Sequence, residues 1–71
     1  MYFVKVRIKT SSSYLFHPYD QCLIIKDANN EIEAMNEAIK FVELGLDYDE
    51  QIDRNMSSCK KLEEHDNIII I

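Results

Sequence analysis

Residues 2–9, YFVKVRIK, set Val4, Val6 and Ile8 against Lys5, Arg7 and Lys9 in strict alternation. A period of two sends alternate side chains to opposite faces. The segment therefore predicts a strand with an apolar inward side and a basic outward side. Thr10 to Ser13 break the alternation with four hydroxyl residues, a loop signal. Residues 14–20, YLFHPYD, are aromatic and hold the only proline, Pro18. Proline cannot donate to a sheet ladder, so 10–20 reads as a long connection whose first part has room for a little strand. In 21–26, QCLIIK, Leu23, Ile24 and Ile25 are consecutive, which predicts a second strand, central or buried on both faces. It most simply pairs antiparallel with the first.

The next pattern changes period. Ala34, Met35, Ala38, Ile39, Phe41 and Val42 recur at helical spacing, with Glu33, Glu37 and Lys40 on the other faces. Asn30 is placed to cap this helix, and Glu33 follows three residues on, as in a capping box. The helix is predicted over 30–44. Gly45, the one glycine in the chain, falls where a left-handed C′ residue closes a helix, with Leu46 folding back over Phe41.

Residues 47–67 admit two readings. Tyr48, Ile52, Met56, Cys59 and Leu62 fall at helical intervals, and Asp47 with Glu50 would cap such a helix. Asn55, Ser57 and Ser58 are poor helix formers in its middle, so a helical turn at 48–54 followed by a strand at 56–63 fits as well. His65, Asp66 and Asn67 read as a turn, and the four isoleucines at 68–71 as a terminal strand. Two of the four face each way, and one helix covers one face of a small sheet. The remainder need a second cover, from the 10–20 loop, a second copy or another partner. The fold expected is α+β: a small two-layer domain with an antiparallel sheet and one main helix, ββαβ-like, with room for a C-terminal hairpin.

At 71 residues the chain is one domain, 1–71, without repeat or linker. A domain of this size buries only about 60% of the surface its unfolded chain exposes. A stability of roughly 3–5 kcal/mol is expected. No apolar run exceeds four residues, so no membrane helix is expected, and the alternating first ten residues are unlike a signal peptide. The reading is cytoplasmic (host cytoplasm for a phage-encoded chain), with Cys22 and Cys59 as two small buried hydrophobes.

Charge divides the chain. Residues 1–26 carry four bases against one acid, and residues 27–71 carry twelve acids against four bases, within a net charge of −5. Such acidity argues against general nucleic-acid binding. The alternative is a local basic face of Lys5, Arg7 and Lys9, with Tyr2, Phe3 or Tyr14 stacking on bases. No catalytic motif stands out. His17, Cys22, Cys59 and His65 lack zinc-knuckle spacing. The acids Asp47, Asp49, Glu50 and Asp53 enclose no glycine, as a calcium loop would require. One glycine excludes the usual phosphate-cradling turns. No cofactor, metal or enzymatic activity is expected. What remains is interaction. Tyr14, Phe16 and Tyr19 make an aromatic loop, and Asp47, Asp49, Glu50 and Asp53 an acidic cluster. Both are candidate partner-binding residues, and a nucleic-acid-handling enzyme is the kind of protein an acidic surface would suit. A homo-oligomer through the C-terminal strand is a further option.

The order YFVKVRIKT, SSSYLF, CLIIKDANN and EAMNEAIKF resembles small bacteriophage accessory proteins that bind and disable host enzymes. A lean towards Asn, Ile, Lys and Asp is likewise similar to the products of AT-rich phage-type genomes. The resemblance is one of pattern over roughly the first 45 residues, and it implies an inhibitor of a host enzyme or defence system. It carries no functional residue over.

Overall fold

The computed structural model describes residues 1–10 and 18–70. The elements run β1 (Tyr2–Thr10), β2 (Tyr19–Ile25), α1 (Glu31–Glu43), β3 (Glu50–Lys61), β4 (Glu63–His65) and β5 (Ile68–Ile70). Three strands form an antiparallel sheet in the order β2-β1-β3, and β4 and β5 form a separate antiparallel pair. This is a small α+β domain.

The alternation of β1 builds the core. Tyr2, Val4, Val6 and Ile8 are buried beneath Ala34, Ala38 and Val42 of α1. Two alanines in the helix stripe let its backbone lie close to the strand. Leu23, Ile25, Met35, Leu46, Ile52 and Cys59 pack around the rim of this cluster. The helix starts where the sequence places it. Asn30 is extended, and its side-chain oxygen accepts the Glu33 N–H at 2.8 Å. The Glu33 carboxylate accepts from the Asn29 side-chain amide.

The other end of the helix corrects two expectations. Gly45 has no positive φ, and Leu44 continues in the right-handed region. The turn closes instead through tighter bonds, Gly45 N–H to Val42 C=O and Leu46 N–H to Glu43 C=O. Such bonds satisfy late carbonyls without a left-handed residue. Leu46 does join the rim of the core, but Phe41 is 60% exposed. At 100° per residue, Phe41 stands about a quarter turn from the centre of the buried stripe, and the three-stranded sheet is too narrow to reach it.

β2 is an edge strand rather than a central one, because β1 takes the middle of the sheet. Its residues are exposed apart from half-buried Leu23 and Ile25, which stand opposite Val4 and Tyr2 on the helix side. Cys22 faces the open side opposite Lys5 and is exposed, contrary to the buried reading. Cys59 stands opposite Val4 and is half-buried. The two thiols are free and occupy opposite faces of the sheet.

No helix forms after Gly45 among the described residues; residues 50–61 are one long strand. It pairs with β1 in two registers separated by a bulge. Lys5 stands opposite Ser58, but Arg7 stands opposite Asp53, so β3 carries three residues more than β1 across this step. The bulge is stitched by one hydroxyl. The Arg7 N–H donates to Ser57 Oγ at 3.0 Å, and Ser57 Oγ donates to the Asp53 carbonyl at 2.8 Å.

Beyond β3, buried Leu62 donates its N–H to the Met1 carbonyl, and the chain then leaves the body. The hairpin β4–β5 turns at Asp66 and Asn67, with Asp66 at φ 56°. A left-handed first residue suits a two-residue hairpin turn, and aspartate tolerates it better than most. The two strands pack on each other and on none of the other described elements. The radius of gyration is 13.6 Å within extents of 46 × 19 × 19 Å. A compact 71-residue chain would have a value of about 11 Å.

Candidate interaction surfaces

The antiparallel register brings the start of β2, the end of β1 and the start of β3 to one end of the sheet. Ile8 stands opposite both Tyr19 and Ile52, and Thr10 opposite Glu50. Glu50 is the centre of this end. Its Oε2 accepts the Tyr19 hydroxyl at 2.6 Å, and its Oε1 accepts the Asp47 N–H at 2.8 Å. The Glu50 N–H in turn donates to the Asp47 carbonyl. The Glu50 carboxylate reaching back to the Asp47 N–H is one half of what a helix start would use; the other half is a backbone turn bond, and together they close the turn before a strand. Asp49 accepts from Thr10 Oγ1 at 3.1 Å. The hydrogen bond to Glu50 raises the Tyr19 phenol above its ordinary pKa, with burial adding a smaller push.

Of the residues expected to bind a partner, Tyr19, Asp47, Asp49 and Glu50 thus lie at one end of the sheet, Tyr19 and the Asp47 backbone joined through Glu50, and Asp49 tied to Thr10. Asp53 is not part of this group. It lies opposite Arg7 on the open face, 3.9 Å from the Lys9 ammonium. Tyr14 and Phe16 lie outside the described residues, as does His17 of the zinc quartet considered above.

The same end presents apolar groups that the hydrophobic pattern does not single out. Phe41 and Leu44 are one turn apart at the close of α1, and Leu44 is 87% exposed. Tyr48, in the turn that follows, is fully exposed. Glu37 is exposed one turn before Phe41 on the same face of the helix, and Glu43 and Asp47 are exposed nearby in the chain. Counting Phe41 at 100° per residue, instead of pooling it with the stripe, would have flagged it.

The basic face of β1 is largely answered by acids. Arg7 pairs with Asp20 through Nε to Oδ1 at 2.5 Å, and Lys9 approaches Asp53. The Arg7 hydrogen bond holds the Asp20 carboxyl below its usual value. Tyr2, considered for base stacking, is buried in the core. Phe3 and Lys5 remain half-buried on this face.

Two shallow depressions lie on the surface, one along α1 at Asn30, Glu33 and Lys40, the other below the hairpin at Leu62, Glu64 and Ile70. Among the described residues no three metal-ligating side chains come together, and no helix is long and apolar enough to cross a membrane. No family model matches the chain, and no curated protein or solved structure is found to match it.

Proposed function

We propose that this is a non-catalytic protein-interaction module whose contact surface is the end of the domain built by Tyr19, Phe41, Leu44, Tyr48, Asp47 and Glu50. One observation carries the reading: at the close of α1 and in the turn that follows, Phe41, Leu44 and Tyr48 are exposed among the described residues, in a stretch of chain that also exposes Glu37, Glu43 and Asp47. Apolar centres with polar rims are the usual anatomy of a protein interface, and tyrosines are frequent anchors in them. The matching partner surface is apolar and edged with Lys and Arg, as on enzymes that handle nucleic acid. In its finest form the proposal is an inhibitor of a host enzyme or defence system, in the manner of the small phage proteins the first 45 residues resemble.

The competing reading, a nucleic-acid-binding module on β1, is weakened by Asp20 and Asp53 beside two of its three cations and by the burial of Tyr2.

Affinity capture from a nuclease-treated bacterial lysate tests the proposal. The wild type is compared with a Phe41→Ser, Tyr48→Ser double variant and with Lys5→Glu. A protein partner should be lost with the double variant and kept with Lys5→Glu, and its binding should weaken as salt rises. Loss with Lys5→Glu alone, together with a gel shift of short oligonucleotides at low salt, would transfer the function to the basic face.

A further inference from the structure

The hairpin at the opposite end of β3 departs from the pattern of the body. Ile68, Ile69 and Ile70 are all substantially exposed, and β4 and β5 pack only on each other among the described elements. A lone two-stranded hairpin is at best marginally stable in water, so this one gains from any third strand. Its two edges, unpaired among the described elements, are chemically unlike. The β4 edge carries Glu63, Glu64 and His65, whereas the β5 edge carries three isoleucines and no charge.

We propose that the chain self-associates by antiparallel pairing of β5 with β5 of a second copy. A run of identical residues is its own complement under a two-fold axis, so the contact closes as a dimer. Pairing through β4 would set glutamate against glutamate, which is unfavourable directly across a ladder. Pairing through β5 sets isoleucine against isoleucine and leaves the acids of both copies on the outer strands. The register is fixed as well. Antiparallel pairs alternate in hydrogen bonding, and His65 and Ile68 close the two-residue turn. Counting from that pair, Ile69 directs its N–H and C=O away from β4. Ile69 therefore meets Ile69 of the second copy on the axis, with Ile68 opposite Ile70 on either side. Three isoleucines offer far less than the roughly 800 Å² per partner of a standard interface, so the dimer is weak and forms at high concentration.

Sedimentation equilibrium between ~10 μM and ~1 mM is the experiment, spanning the range expected of a small contact. The wild-type mass should climb towards twice the monomer. Ile69→Lys, which places two cations face to face on the axis, should stay monomeric, and Glu64→Lys should still associate. In a Cys22→Ser, Cys59→Ser background, Ile69→Cys should form a disulfide-linked dimer with a mild oxidant, because directly opposed residues sit at about 5.5 Å between Cα atoms. Glu64→Cys in that background should not. Retained circular dichroism and melting temperature would show that each variant keeps its fold. A wild-type monomer at ~1 mM, association untouched by Ile69→Lys, or growth beyond the dimer would each overturn the proposal.

Discussion

Val6 and Ile68 are both β-branched residues on strands, yet Val6 is wholly buried and Ile68 is 66% exposed. The difference lies in what surrounds them. β1 alternates, so all its small apolar side chains fall on one side, and α1 brings a matching stripe of alanine and valine to that side. β5 does not alternate, and among the described elements only β4 packs on it. Apolar content alone therefore does not make a core. A periodic strand needs a periodic cover, and the body has both where the hairpin has neither.

The sharpest way to break this contrast is to remove side chains from each region in turn. Ile8→Ala should cost about 2–5 kcal/mol, as buried isoleucine truncations do. Against a total of roughly 3–5 kcal/mol, that leaves much of the population unfolded. Ile69→Ala, measured at low concentration, should change urea unfolding by less than about 0.5 kcal/mol. Equal losses would mean that the hairpin belongs to the cooperative unit after all.

Ser57→Ala probes the body from its bulge. It strips the partly buried Arg7 N–H of its acceptor, and a loss of about 1–3 kcal/mol is expected by denaturant titration. Gly45→Ala tests the helix end. Its φ is not positive, and an added Cβ would meet only the Val42 carbonyl oxygen at 3.8 Å. The variant should be neutral or up to about 1 kcal/mol more stable, whereas a left-handed Gly45 would have made it less so.

The smallest effect is expected from pH. Arg7 depresses the Asp20 pKa, so the pair contributes stability above the ordinary carboxylate value and loses it as pH falls through the lower folded value. Asp20→Asn should slightly flatten the acid side of the stability profile, with the neutral range little changed. The pair is exposed, and screening keeps its contribution modest.

The elements that were legible in the chain share one property: their signal is local. The alternation of Val4, Val6 and Ile8 announces β1, and Asn30 with the Ala34 and Ala38 stripe announces α1, because the residues that matter are neighbours. β2 was legible as a strand but not as an edge, since strand order is decided by which partner takes the far side of β1. β3 was obscured by its bulge. Ile52 and Cys59 both face the helix although seven residues apart, an odd number that a regular strand would send to opposite faces. Seven is also two helical turns, so the three additional residues at the bulge gave a strand the apolar spacing of a helix. Within the interaction surface, Tyr19 and the acids at 47–50 were legible as composition. The bond from Tyr19 to Glu50 was not, because it depends on a register between residues 31 apart in the chain.

The bulge also sets how the length of this gene product can change. Removing one residue from 54–56 leaves two additional residues to bulge between the same two registers, whereas removing one from the regular part after Ser58 would turn the residues beyond it to the other face. Removing three, 54–56, brings the two registers into one and leaves every flanking side chain on its present face. Length can thus change at the bulge, and a three-residue excision there would remove it altogether. An unbroken relative of this fold would differ from it there by three codons in a row.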